Sequence, residues 1–188
     1  MLLLDEFPEF QRPVLEALRQ PLEDGVVSVA RANGRAVFPA RFQLVATMNL
    51  CPCGGKGDAA GCSCSATRLA HFREKLSRAL LDRFDLVVAM PRSRAVELDG
   101  NGEEASALVR ERVQVARERI EETPPRMGSE ARTLLTEAVE RLPLSGRGRA
   151  RVARVARTIA ALAGAEEISR GYLAEALSYR IPPELTGT

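Results

Sequence analysis

The chain opens on a three-residue apolar run, Leu2-Leu3-Leu4, closed at once by Asp5-Glu6. A short apolar run ending in acids predicts a buried parallel strand whose carboxylates emerge at the C-terminal edge of a sheet. Residues 8–23 carry Phe10, Val14, Leu15, Leu18 and Leu22 at helical spacing. Pro13 suits the first turn of that helix, and Asp24-Gly25 ends it. Two β-prone runs, 26–30 and 35–38, are joined through Asn33-Gly34, a pair suited to the positive φ of a tight hairpin. Residues 42–47 read as a second core strand ending at Met48-Asn49. Residues 65–77 read as a helix with basic Arg68, Arg73 and Lys75, and 86–90 as a third buried strand stopped by Pro91.

Beyond residue 92 the pattern changes to helices only: 103–122, 129–142, and 145–162 with an apolar face of Val152, Val155, Ile159 and Leu162. Ser169 caps a fourth helix through Leu173 and Leu177. Asp99-Gly100-Asn101-Gly102 predicts a linker over 93–102, between an α/β portion (1–92) and an all-α portion (103–188).

Composition adds limits. With 45% hydrophobic and 28% charged residues the chain can bury a core. No apolar run approaches the roughly 20 residues of a membrane span, and Met1 to Leu4 is too short for a signal peptide, so a cytoplasmic chain is expected. A net charge of +2 decides nothing about polyanions, so local charge must. Residues 141–157 hold six arginines and no acid. Arg31 and Arg35 flank the hairpin tip, with no acid between Arg31 and Arg41. The hairpin is either a solubilising surface feature or a basic loop that touches a polyanion. Arg151 and Arg154 can equally pair with Glu137, Glu140 or a neighbouring subunit's acids. Aromatics are only 4%, which argues against base stacking as the main mode of recognition.

Three groups carry candidate chemistry. Asp5 can hold Mg²⁺ and Glu6 can orient an attacking water, the pair that phosphate transfer needs, although any strand running into a loop looks alike. Asn49, at the end of the neighbouring strand, can position a water or simply end the strand in a turn. Cys51, Cys53, Cys62 and Cys64 are spaced C-x-C, eight residues, C-x-C in a Gly-rich loop. Four thiolates close a structural Zn²⁺ site, and free or redox thiols are the alternative. His71 is an extra ligand candidate, or a solvent-facing or capping residue.

Taken together, residues 4–10 (LDEFPEF), 18–25 (LRQPLEDG), 48–54 (MNLCPCG), 80–85 (LLDRFD) and 155–160 (VARTIA) resemble AAA+ ATPases of the magnesium-chelatase-like, ComM-related family. The resemblance implies a partial AAA+ parallel-sheet core with a β-hairpin, followed by a helical lid. It implies ATP and Mg²⁺ as cofactors, Walker B at Asp5 and Glu6, and sensor 1 at Asn49. It implies an arginine finger at Arg83, which completes a neighbour's site, and a sensor-2 arginine at Arg147. It makes 26–38 a pore-facing hairpin with DNA contacts at Arg31 and Arg35, in a hexameric ring that does helicase or branch-migration work. The alternatives are chelatase-type remodelling of a protein partner and a non-enzymatic zinc-stabilised interaction module.

One family part is missing from these residues. No G-x-x-x-x-G-K-[ST] loop occurs in them, and Gly55-Lys56 is followed by Gly57. The expectation is a C-terminal fragment of a longer protein or a truncated reading frame, in which strand 86–90 lacks a parallel neighbour on one side.

Overall fold

A computed structural model describes residues 1–32, 34–55, 61–90, 104–142 and 144–180. Asn33 and the expected linker at 93–102 lie outside the described residues. The chain is mixed α/β and divides into two units, Met1–Phe84 and Asp85–Arg180.

In the first unit, β1 (Leu2–Leu4) pairs in parallel with β4 (Leu44–Ala46), in the register Leu2↔Leu44 to Leu4↔Ala46. The parallel pairing matches the sequence expectation. Burial is only partial: Leu2 and Leu4 are half-buried, and Leu3 stays 61% exposed. The segment expected as one helix over 8–23 is three pieces: a 3₁₀ turn (Phe7–Glu9), α1 (Arg12–Ala17) and α2 (Arg19–Asp24). Pro21 explains the break. It has no N–H to donate to Ala17, and its ring clashes with that carbonyl. Pro13 sits in the first turn of α1, as expected. Gly25, in the left-handed region at φ 67°, ends α2.

β2 (Val26–Arg31) and β3 (Gly34–Pro39) form the antiparallel hairpin. Its register faces Arg31 with Gly34, so Gly34, expected in the turn, instead begins β3 at φ 142°. Then come α3 (Ala66–Glu74) and α4 (Arg78–Leu81), capped by the Ser65 and Ser77 hydroxyls. Phe7, Leu15, Phe72, Leu76, Leu80 and Leu81 are buried here, and Phe7 meets Phe84 edge to face at 5.5 Å. The third buried strand does not form. Residues 86–90 have no ladder partner among the described residues, and Leu86, Val88 and Met90 are exposed. A strand needs a neighbour for its N–H and C=O groups, and among the described residues this segment has one backbone link, Val87 N–H to the Tyr179 carbonyl at 2.8 Å.

The second unit holds α5 (Ser106–Glu122), α6 (Ser129–Arg141), α7 (Gly146–Leu162) and α8 (Arg170–Ser178). The four helices lie where the sequence places them. Ser145 and Ser169 hydroxyls accept the Gly148 and Tyr172 amides at 3.0 and 3.4 Å. A two-residue parallel pair, β5 (Arg126–Met127) and β6 (Glu167–Ile168), was not expected. Of the expected face of α7, Val152 and Val155 are buried and Ile159 packs half-buried on the same core, joined by Ala156 and Ala160, while Leu162 is 40% exposed. Alanines there let Leu135, Ile168 and Leu173 close on the helix in one core. No helix among the described residues is long and apolar enough to cross a membrane.

Candidate functional site

The parallel register carries Asp5 opposite Thr47, one step beyond Leu4↔Ala46. Thr47 grips the whole turn. Its N–H donates to the Leu4 carbonyl at 3.0 Å, and its carbonyl accepts from Phe7 N–H at 2.8 Å. Its hydroxyl accepts from Glu6 N–H at 3.1 Å and donates to Asp5 Oδ1. Glu6 is left-handed (φ 50°, ψ 48°), the one non-glycine at positive φ among the described residues. That geometry costs on the order of 1–3 kcal/mol, and such strain concentrates at functional sites. The sequence reading missed Thr47. The available signal was a hydroxyl residue one place past the strand that pairs with an acid-ended strand.

Asp5, Glu6 and Asn49 are all exposed, at the C-terminal ends of adjacent parallel strands. Glu6 and Asn49 line a cleft of about 550 Å³ with Glu9, Arg68, His71 and Lys75. Thr47 occupies one oxygen of Asp5, which leaves the other for a cation, so the donor set fits Mg²⁺. Thr47→Val removes both hydroxyl bonds and is expected to cost about 1 kcal/mol, with Thr47→Ser close to the parent. Urea unfolding of the two variants checks this.

The four cysteines converge. Cys51 and Cys53 sulfurs are 3.4 Å apart and Cys53 and Cys62 3.7 Å, and all four Sγ atoms lie within 4.8 Å of one another. A tetrahedral site with Zn–S of about 2.3 Å needs sulfurs roughly 3.8 Å apart. The loop is built tightly: a Cβ on Gly55 would meet the Gly61 carbonyl oxygen at 2.5 Å. The thiols cannot all ionise unaided. The Gly55 N–H, then the Cys51 thiol and the Ser63 N–H, hold Cys53 down to about 5. At Cys62 the Cys64 N–H pulls downward, but lost water contact and the neighbouring thiols push it up to about 12. Lost water contact and Cys53 also raise Cys64. Such a set, one thiolate held by reluctant neighbours, fits a divalent cation. His71 is not among the grouped ligands and stands 3.5 Å from Glu74.

The other candidates are placed as follows. The Arg83 guanidinium is buried against Glu23, with Nε donating to the Arg19 carbonyl at 3.3 Å and a further bond to the Ala79 carbonyl. Arg31 and Arg35 are exposed, and Arg35 Nε donates to Ser28 Oγ at 2.7 Å. Arg147 is exposed in the first turn of α7, in the other unit. Arg151 and Arg154 meet Asp85 at 3.1 and 3.7 Å, not Glu137 or Glu140 as weighed from sequence.

The family described as magnesium chelatase, subunit ChlI, matches residues 1–98, and its C-terminal region matches 120–180. The chain belongs to the magnesium chelatase ChlI family. Within it, the chain is 40% identical over 197 residues to competence protein ComM of Haemophilus influenzae. It is 41% identical over 199 residues to an uncharacterised protein of Mycobacterium tuberculosis, and 37% over 198 to YifB of Escherichia coli. Each alignment takes in 96% of this chain, and the chain spans 38% to 39% of the length of these ChlI-family relatives.

Proposed function

We propose that these residues are the Walker B-to-lid half of an AAA+ ATPase that, in the intact protein, couples ATP hydrolysis to helicase or branch-migration work on DNA. The observation that supports it is the Thr47 clamp, which holds the Asp5-Glu6 turn at the end of a parallel strand pair, with Glu6 and Asn49 lining one cleft. In this reading Asp5 holds Mg²⁺, which would draw charge from the phosphates. Glu6 orients and deprotonates the attacking water, and Asn49 fixes that water against the terminal phosphate. Residues 103–188 form the lid, where Arg147 senses the phosphate. Zn²⁺ holds the cysteine loop.

Arg83 acts across a subunit boundary in a hexameric ring. Within one chain it is tied to Glu23, so that role requires the pair to open on assembly. Arg83→Ala is expected to lose on the order of a thousandfold in turnover of the full-length protein while keeping ATP binding. Mixing it with Glu6→Gln subunits should restore part of the rate, because each supplies what the other lacks. A mixture that stays inactive although mixed rings form leaves Arg83 a structural residue, tied to Glu23 and to the Arg19 and Ala79 carbonyls.

DNA contact falls to the hairpin tip. Arg31→Ala with Arg35→Ala in the full-length protein should weaken DNA binding at all sequences alike, and flatten its salt dependence by roughly one unit of slope per contact. ATP-driven strand displacement by the full-length protein tests the function itself. The family match to a chelatase subunit favours a second reading, remodelling of a protein partner. That reading gains if ATP is hydrolysed, no strand is displaced and the hairpin variant binds DNA like the parent.

A further inference from the structure

The cleft beside Glu6 and Asn49 has a second wall that no motif names. Arg68 and His71 of α3 and its C-cap Lys75 are spaced three and four residues apart, one helical stripe. All three line the cleft, together with Glu6, Glu9 and Asn49. Two of them are only loosely engaged: Lys75 Nζ is 3.5 Å from Glu9, and His71 Nδ1 is 3.5 Å from Glu74, both at exposed positions. Among the described residues no acid pairs with Arg68. The wall is also held in place. Ser65, directly after Cys64, caps α3 through the Arg68 N–H at 3.3 Å, and Cys51, two residues after Asn49, is fully buried. The cysteine cluster therefore fixes both sides of the cleft.

We propose that Arg68, with His71 and Lys75, binds the terminal phosphates of a magnesium-bound nucleotide polyphosphate. The inference rests on reading this cleft as the phosphate-transfer site and adds its binding residues. Charge favours that ligand. Arg68 and Lys75 balance Glu6 and Glu9 across the cleft, so a bare polyanion gains little, whereas a polyphosphate that brings its own cation meets both signs. Arg68 offers the forked donor that suits phosphate oxygens. A volume of about 550 Å³ takes a triphosphate and water, not a nucleic-acid duplex.

His71 is the sole histidine of the chain, so its two imidazole C–H protons give assignable NMR signals inside the cleft. Magnesium tripolyphosphate is titrated into the 188-residue chain at fixed ionic strength. The expected result is a saturable shift of the His71 signal. Arg68→Ala should weaken the affinity about tenfold, the loss of one charge-assisted contact. Arg68→Lys should recover part of it, and Arg170→Ala, in the other unit, should change nothing. Circular dichroism confirms that each variant folds. A shift that never saturates, or equal affinity in Arg68→Ala, overturns the proposal. So does an equally saturable shift with a single-stranded oligothymidylate, which makes the wall a nucleic-acid site. Failure of the phosphate-transfer reading looks different: tripolyphosphate still binds through Arg68, yet Glu6→Gln leaves turnover in the full-length protein intact.

Discussion

Protein purified without chelator is expected to carry about one zinc ion per chain, and Cys51→Ser none. The four sulfurs already stand within reach of one tetrahedral ion, and the raised thiols of Cys62 and Cys64 need a cation beside them to ionise. Zinc binding at such sites is worth roughly 10–16 kcal/mol in small peptides, and it is folding energy because the unfolded chain has no site. Cys51 is fully buried, so its replacement also puts a polar hydroxyl into a buried position. Chelation should therefore lower the melting temperature of the α/β unit while the helical unit keeps its own core. The ligands must be thiolates, so retention of the metal should fall as pH falls. Elemental analysis and X-ray absorption, with Zn–S near 2.3 Å, check the site. Stoichiometric disulfides and no metal in fresh protein would contradict it.

Local features were legible in the sequence. The acid-ended strand pairs in parallel with the run before Asn49, the hydroxyl of Ser169 caps its helix, and the cysteines meet. Each depends on residues whose chemistry acts over one turn, or on a ligand count. What escaped depends on distant partners. Thr47 matters because the register sets it against Asp5, 42 residues away in sequence. Glu23 and Asp85 as the partners of Arg83 and of Arg151 follow from how the helices pack, which the spacing of charges does not encode. The break before α2 was readable from Pro21, but the helical spacing of Leu15, Leu18 and Leu22 outweighed it. Residues 86–90 carry a strand's composition without the neighbour a strand requires, so propensity lost to pairing. On α7 the count of large apolar residues missed Ala156 and Ala160, which are fully buried in the core, and overreached at Leu162.

The central claim is that Asp5, Glu6 and Asn49 form a phosphate-transfer site, and Glu6→Gln tests it most directly. The amide keeps the size of the side chain and its place in the left-handed turn that Thr47 holds. It removes the basic oxygen alone. General-base catalysis contributes about a hundred- to ten-thousandfold, so the variant should bind ATP and Mg²⁺ like the parent while its turnover falls by that factor. The measurement is made on the full-length protein, with ATP affinity and single-turnover hydrolysis read side by side. Unchanged binding with hydrolysis lost is the predicted result. Hydrolysis at the parental rate in Glu6→Gln would contradict the account.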